Sequence, residues 1–413
     1  MRILIVAPMA PDPDGAGAIP ILLHAQLTGL RERNEVTLVT AIGDEPGEGE
    51  AAQKLSEAGF DVRIADRRQP HSTAKRWRRR LRLATAWLRG TPWRAAWFAA
   101  PGIQPILDRL AAANEFDVAV VEDSAMAGFR LPPGAASVLT EHEVLRPRKV
   151  EWRPGRPSRW PGWAWRELDW RRRHRFQRAA WRRFDRVLAF SQRDAEAIAE
   201  LAPEVAGRVR VSPFGLDLPP LADPAAEDVE TLLFVGNFTH QPNRDAARWL
   251  ADEIVPALRS LQPGACLHLV GSSPPPPVLA LAGRGVEVTA DAPSIGSYLE
   301  AATVVAAPVR TGGGMRMKIL QALAAGKAVV TTSRGTEGFN CFEEPPPLVV
   351  ADDGEDFAAA VAKLLADPRR RHELGRRARA FAESHYGPAA WATRLEAVYA
   401  EAREGREKVA ARA

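Results

Sequence analysis

Cysteine is almost missing: the 413 residues contain two, Cys266 and Cys341, far apart in the chain. That excludes a disulfide framework and a thiolate metal site, and it fits a reducing compartment. Long apolar runs are missing as well. Nowhere do roughly 18 apolar residues follow one another, so no membrane span is expected. The opening run, "MRILIVAPMAPDPDG", places Arg2 before an apolar stretch in the manner of a signal peptide. The stretch is too short for an h-region with a cleavage site, and it reads better as a first buried strand. There is no P-loop, and no GxGxxG follows that strand. A further absence is local: from His71 to Ala100 there is no acidic residue, against eight Lys and Arg.

What is present begins with size and charge. The length suits two domains of roughly 200 residues each, and 46% apolar with 26% charged residues is a globular composition. The net charge of +5 conceals an asymmetry. Arg146 to Arg186 carries fifteen Lys and Arg against four acids, so this segment and the acid-free one hold more positive charge than the whole chain. Ten of the twelve tryptophans, Trp77 to Trp181, lie within or between the two. Arginine-rich helices bearing tryptophan suit an anionic membrane surface or an anionic acceptor. A solvated face whose arginine stems cover apolar area accounts for the same pattern. No nucleic-acid-binding signature accompanies the charge.

Short apolar runs alternate with helical patterns from end to end, which predicts an α/β fold with mostly parallel sheets. In the first half the expected strands are 2–7, 35–39, 61–64, 117–121, 137–140, 186–190 and 208–211. "SPFGLDLPPLADPAAEDVE" then interrupts the alternation and reads as a linker. Beyond it, "TLLFVGN", "CLHLVG", "VEVTA", "ATVVAAP", "AVVTT" and "PLVVA" supply a second set. The expected organisation is a Rossmann-like, doubly wound domain over 1–211, a linker over 212–230, a second such domain over 231–386 and a helical tail over 387–413. The carboxyl ends of the two sheets are expected to face each other across a cleft.

The segment "APVRTGGGMRMKILQALAAGKAVVTT" is the most informative. A strand ends at Pro308, a helix is expected from Met315 or Arg316, and Ile319, Leu320, Leu323 and Ala324 form its apolar face up to a stop at Gly326. Glycines at 312 to 314 let backbone N–H groups approach a ligand, and the helix N-terminus adds partial positive charge. Arg316 and Lys318 supply full charges suited to a diphosphate. A tight turn with solvated cations is the alternative.

This turn, with "LLFVGNFTHQPNRDAARWLADEIVPAL" and "VEVTADAPSIGSYLEAATVVAAPVR", resembles the nucleotide-binding domain of family 4 glycosyltransferases, in the branch with a PN-D-A element and a GGG-x-R-x-K turn. The resemblance implies a GT-B fold of two facing Rossmann-like domains and a retaining, hexosyltransferase-type enzyme. It would take a nucleoside diphosphate sugar as co-substrate and need neither cofactor nor metal. The first domain would bind the acceptor, a lipid-linked glycan or a small molecule, and the second the donor. Arg316 and Lys318 are then catalytic, neutralising the leaving diphosphate. Gly312, Gly313, Gly314 and Met315 would contact sugar and phosphate through their amides. Asn237 and Asn243 fall at or near positions where the family carries an arginine and a lysine, or they cap the helix expected near Arg244. Thr289 would line the base pocket. The family's two glutamates fall on Gly313 and Gln321; Gln321 keeps an acceptor for the ribose hydroxyls but loses the charge.

In the first domain "GAGA", with Gly15 and Gly17, opens the first helix in a loop that in the family faces the diphosphate. "LTEHEV" puts His142 just after a strand, where the family has a catalytic histidine near the transferred sugar; an ordinary half-buried histidine is the alternative. The expected setting is cytoplasmic, peripheral at the inner membrane face, in polysaccharide or glycoconjugate biosynthesis. A sugar-nucleotide epimerase on the same fold, or a degenerate, membrane-associated binding protein, are the rival functions.

Overall fold

The structure is a computed structural model. It describes residues 1–13, 15, 18–44, 47–68, 72–145, 160–228, 230–292, 294–311, 316–339 and 341–410. Two compact units divide the chain, Leu216–Gly387 and the pair Met1–Gly215 with Pro388–Ala413.

In the first unit, β1 (Arg2–Val6), β2 (Glu35–Ile42), β3 (Asp61–Asp66), β4 (Val118–Glu122), β5 (Ala136–Glu141), β6 (Arg186–Ala189) and β7 (Val209–Val211) form one parallel sheet. Its order is β3-β2-β1-β4-β5-β6-β7. The central strands are near-continuous runs of Val, Ile, Leu and Ala because helices cover both faces. All five residues of β4 and all six of β5 are buried. Leu4, Val6, Val121 and Leu139 pack with Trp181 and Phe184 from and beside the Trp160–Arg183 helix. Strand order reverses between β1 and β4, the point at which doubly wound sheets hold ligands beyond their carboxyl ends.

The second unit repeats the plan with β8 (Thr231–Val235), β9 (Cys266–Gly271), β10 (Val286–Ala290), β11 (Val304–Ala307), β12 (Val329–Thr331) and β13 (Val349–Val350). All are parallel, in the order β10-β9-β8-β11-β12-β13, with the reversal between β8 and β11. Phe234, Phe238, Trp249, Leu267, Leu269 and Phe357 are among its buried core. Every strand expected from the sequence is present, with ends shifted by at most three residues.

The two connecting segments differ in setting from their sequence reading. Within 212–230, Leu216 N–H donates to the Tyr386 carbonyl (2.8 Å) and Ala222 N–H to the Ala325 carbonyl (3.1 Å). Much of the proline-rich stretch is thus packed on the second unit. Residues beyond 387 form one helix, Pro388–Ala410, grouped with the first unit. Its Trp391, Leu395 and Tyr399 are buried, because they complete the apolar cover over the first sheet. Among the described residues no helix is long and apolar enough to cross a membrane.

Candidate functional site

In the second unit Arg310, Arg316 and Lys318 follow the end of β11. The helix that follows is Met317–Ala324, preceded by Arg316, one or two residues later than the sequence reading places it. Ile319, Leu320, Leu323 and Ala324 are all fully buried, and Gly326, at φ +73°, follows the helix as its stop. Lys318 Nζ donates to Asn243 Oδ1 (2.5 Å) and lies 4.4 Å from the centre of the Phe234 ring. Burial in this setting, with the Arg316 charge beside it, pulls the Lys318 ammonium down to about 7. Arg316 is 8% exposed; it donates to the Arg334 carbonyl (3.1 Å) and lies 3.8 Å from Glu337. Gly312, Gly313, Gly314 and Met315 lie outside the described residues.

The helix after β8 is Gln241–Trp249, three residues earlier than expected, with Pro242 in its first turn, where a missing N–H costs nothing. Asn243 therefore sits inside the helix and not at a cap. Its Nδ2 donates to the Asn237 carbonyl (2.7 Å) while its Oδ1 receives Lys318. Asn237 Oδ1 in turn accepts from Thr239 N (2.9 Å) and Thr239 Oγ1 (2.6 Å). Two residues beyond Asn243, Asp245 takes both arms of Arg310 (3.1 and 2.8 Å), and that guanidinium lies 4.7 Å over the Trp249 ring. The PN-D-A element thus holds one cation from each side of the glycine turn. Sequence spacing marks Asn243 as a ligand candidate; the fold gives it a partner in Lys318.

Gln321, one turn beyond Lys318, is half-buried and its side chain makes no hydrogen bond among the described residues. Thr289 is on the edge strand β10, with Oγ1 3.4 Å from His268 Nε2. Two strands separate it from β11, which precedes Arg316 and Lys318.

In the first unit the candidates lie beyond β1 and β5. Gly15 N–H donates to the Asp12 carbonyl (3.2 Å), and a Cβ there would come within 2.6 Å of Pro20, so the turn needs glycine. Gly17 lies outside the described residues. His142 follows β5 directly, almost wholly buried, and its Nε2 is 2.8 Å from Glu122 Oε2 at the end of β4. A carboxylate neighbour assigns the proton to Nε2; Nδ1 is buried without a partner among the described residues. Phe190 meets the ring edge-on at 5.2 Å. Glu122 Oε1 also accepts from Gln26 (2.8 Å) and Thr140 (3.0 Å), so this buried acid is fully engaged.

Three acids here escape the sequence reading. Besides Glu122, Glu141 at the end of β5 accepts from Trp181 Nε1 (2.7 Å) and Ser124 Oγ (3.2 Å). Burial, and then the nearby Asp123 charge, push its carboxyl up to about 8. Asp123 itself adopts φ +73°, a region unusual for a residue with a Cβ, and pairs with Arg94 at 2.7 Å. The available signal was an acid at the carboxyl end of each apolar strand, "VAVVE" and "ASVLTE".

Residues 49–219 match the family described as Glycosyltransferase Family 4, and residues 229–367 match Glycosyl transferases group 1. Curated protein sequences give no match. Among solved structures, the chain is similar to HepE from Anabaena in complex with UDP and glucose (14% identity, TM-score 0.64, covering 97% of this chain and 100% of that one). It is also similar to sucrose-phosphate synthase from Thermosynechococcus elongatus (17%, 0.61, 97% and 99%). A third is a single-residue mutant of S. aureus TarM in complex with fondaparinux, α-GlcNAc-glycerol and UDP (8%, 0.62, 97% and 100%). At such identities the likeness is one of fold, and that fold is GT-B. With a family 4 domain in the first unit and a group 1 domain in the second, the chain is a glycosyltransferase of the family 4 type.

Proposed function

We propose that the protein transfers a sugar from a nucleoside diphosphate sugar to an acceptor hydroxyl with retention of configuration and without a catalytic metal. The observation that carries this reading is Lys318, desolvated, held on Asn243 and placed beside Arg316 at the start of an apolar helix. Lys318 is half-buried with a neutral amide as its hydrogen-bond partner, so its charged form gains when an anion arrives. A leaving diphosphate is such an anion, and stabilising the charge that develops on it is the main source of rate acceleration open to this chemistry. In this reading Lys318 and Arg316 act on the diphosphate, with the amides of Gly312 to Met315. Gln321 takes the ribose, Thr289 lines the base pocket through its backbone, and Asn237 and Asn243 hold Lys318 in place. The family resemblance assigns Gly15 and Gly17 to the donor and His142, paired with Glu122, to the transferred sugar. The complexes of Anabaena HepE with UDP, with UDP-glucose, and with UDP and glucose support a uridine nucleotide as the first donor to try. Retention rests on the family resemblance.

A thermal-shift panel of UDP, GDP, ADP and dTDP, with and without magnesium, tests the donor. A ligand at 100 times its Kd stabilises by about 2.7 kcal/mol. One nucleotide should stand out, equally with and without magnesium; no shift with any of the four would remove the reading. Gly313 and Gln321, which replace the family's glutamates, favour one second reading, a degenerate binding protein. It would show the shift yet release no nucleotide from any donor with any acceptor. Anomeric proton signals of the product decide retention.

A further inference from the structure

We infer that the outer face of the Thr73–Leu88 helix, continued by its two neighbours, docks on an anionic lipid surface. Trp77, Leu81, Ala84 and Leu88 fall at steps of four, three and four, one stripe of a helix. All four are exposed, and the three large ones stand 59%, 59% and 72% open. The stripe is held outward because the opposite face is anchored. Leu83 is buried, Arg82 donates to the Ala99 carbonyl (3.1 Å) and Arg79 lies over Trp97 (4.5 Å). Near the carboxyl end, Trp87 donates to Asp169 (3.0 Å) under the Arg172 guanidinium.

The apolar surface does not stop at Leu88. Trp165 stacks on Trp87 and meets Trp93 edge-on, each at 6.2 Å, and both Trp93 and Trp165 remain more than a third exposed, as does Leu168. Six of the eleven exposed large apolar side chains among the described residues are therefore gathered on three adjoining helices. A solvated face would use arginine stems to cover such groups; here Arg76, Arg78 and Arg80 stand exposed beside the stripe and leave it open.

Charge selects the occupant. The helix carries no acid, and Asp169, beside it, is already taken by the indole of Trp87 and the amide of Trp93 (2.8 Å). Leucine and tryptophan in line, bordered by arginines, match the interface of an anionic bilayer, where apolar side chains enter and cations meet the headgroups. A soluble polyanion would use the arginines and leave the stripe in water. The inference is independent of the donor site, which belongs to the other unit.

Co-sedimentation with phosphatidylglycerol vesicles, with phosphatidylcholine vesicles as the comparison, tests it, and circular dichroism checks the folding of each variant. The full chain should pellet with the anionic vesicles at low salt, and not with the neutral ones. Arg76→Gln, Arg78→Gln and Arg80→Gln together should weaken this by about a hundredfold. Leu81→Glu with Leu88→Glu should abolish it, with Leu81→Gln and Leu88→Gln in reserve if the glutamates unfold the helix. UDP affinity should be unchanged in every variant, so a failed docking claim and a failed donor claim remain distinct. Failure to pellet at low salt, equal binding to neutral vesicles, or binding that the leucine changes leave intact would each overturn the inference. The last outcome with loss in the arginine variant would identify a polyanion site instead.

Discussion

Lys318 has an aromatic ring on one side, one asparagine oxygen as its partner and a second cation next to it; desolvation, and then the Arg316 charge, bring its ammonium down to about 7. A bound diphosphate would restore the ammonium, so binding above about pH 7 must draw a proton from solvent. Titration calorimetry in two buffers of different ionisation enthalpy should show that uptake in the wild type and none in Lys318→Met. Affinity should fall as pH rises above 7 in the wild type alone. Glu141 titrates with the opposite consequence. Its carboxyl is raised in the folded protein, so the stability it contributes is fully present below the unfolded value near 4.5 and is lost as pH rises through about 8. Glu141→Gln keeps an acceptor for Trp181 and cannot ionise. Thermal melts should find it close to wild type at about pH 5 and more stable than wild type at about pH 9. An unchanged difference between the two pH values would show that Glu141 is ionised throughout. The sequence displays these acids at strand ends, but not their company. Glu122 sits opposite Thr140 in the parallel register and so reaches His142, a relation that residue spacing does not contain.

At the scale of elements, helix starts were the least legible feature. The Gln241–Trp249 helix begins at the residue before Pro242, which moves Asn243 from an expected cap into the first turn and aims it at Lys318. Strands were legible because buried parallel strands are short runs of branched apolar residues bounded by turn residues. The contact between the first helix and the last was not legible, since nothing local marks it. Gly29 of Ala18–Arg31 is where the two meet, and a Cβ there would stand 2.3 Å from the Pro388 carbonyl oxygen. Gly29→Ala should therefore push the Pro388–Ala410 helix away, at about 1–3 kcal/mol, the usual cost of overpacking. Chemical denaturation measures this; a loss below about 0.5 kcal/mol would mean that the contact gives way freely.

Over the whole molecule, two sheets were readable because the alternation of strand and helix restarts after residue 230, and Arg316 and Lys318 stood out because glycine, arginine and lysine stand together in the sequence. The grouping of the last helix with the first unit was not, because its partners, Gly29, Gly215 and Phe190, are remote in sequence. The charge asymmetry was visible in composition, whereas the stripe Trp77, Leu81, Ala84 and Leu88 emerges only once the inner face of its helix is known. The central claim is that Lys318 and Arg316 hold a nucleoside diphosphate. Its most direct test is isothermal titration of UDP into the wild type, Lys318→Ala and Arg316→Ala at about pH 6, on the charged side of the Lys318 titration. The expected result is one site in the wild type and a loss of about 1.5–3 kcal/mol in each variant with the fold intact. Equal affinity in all three proteins would contradict it.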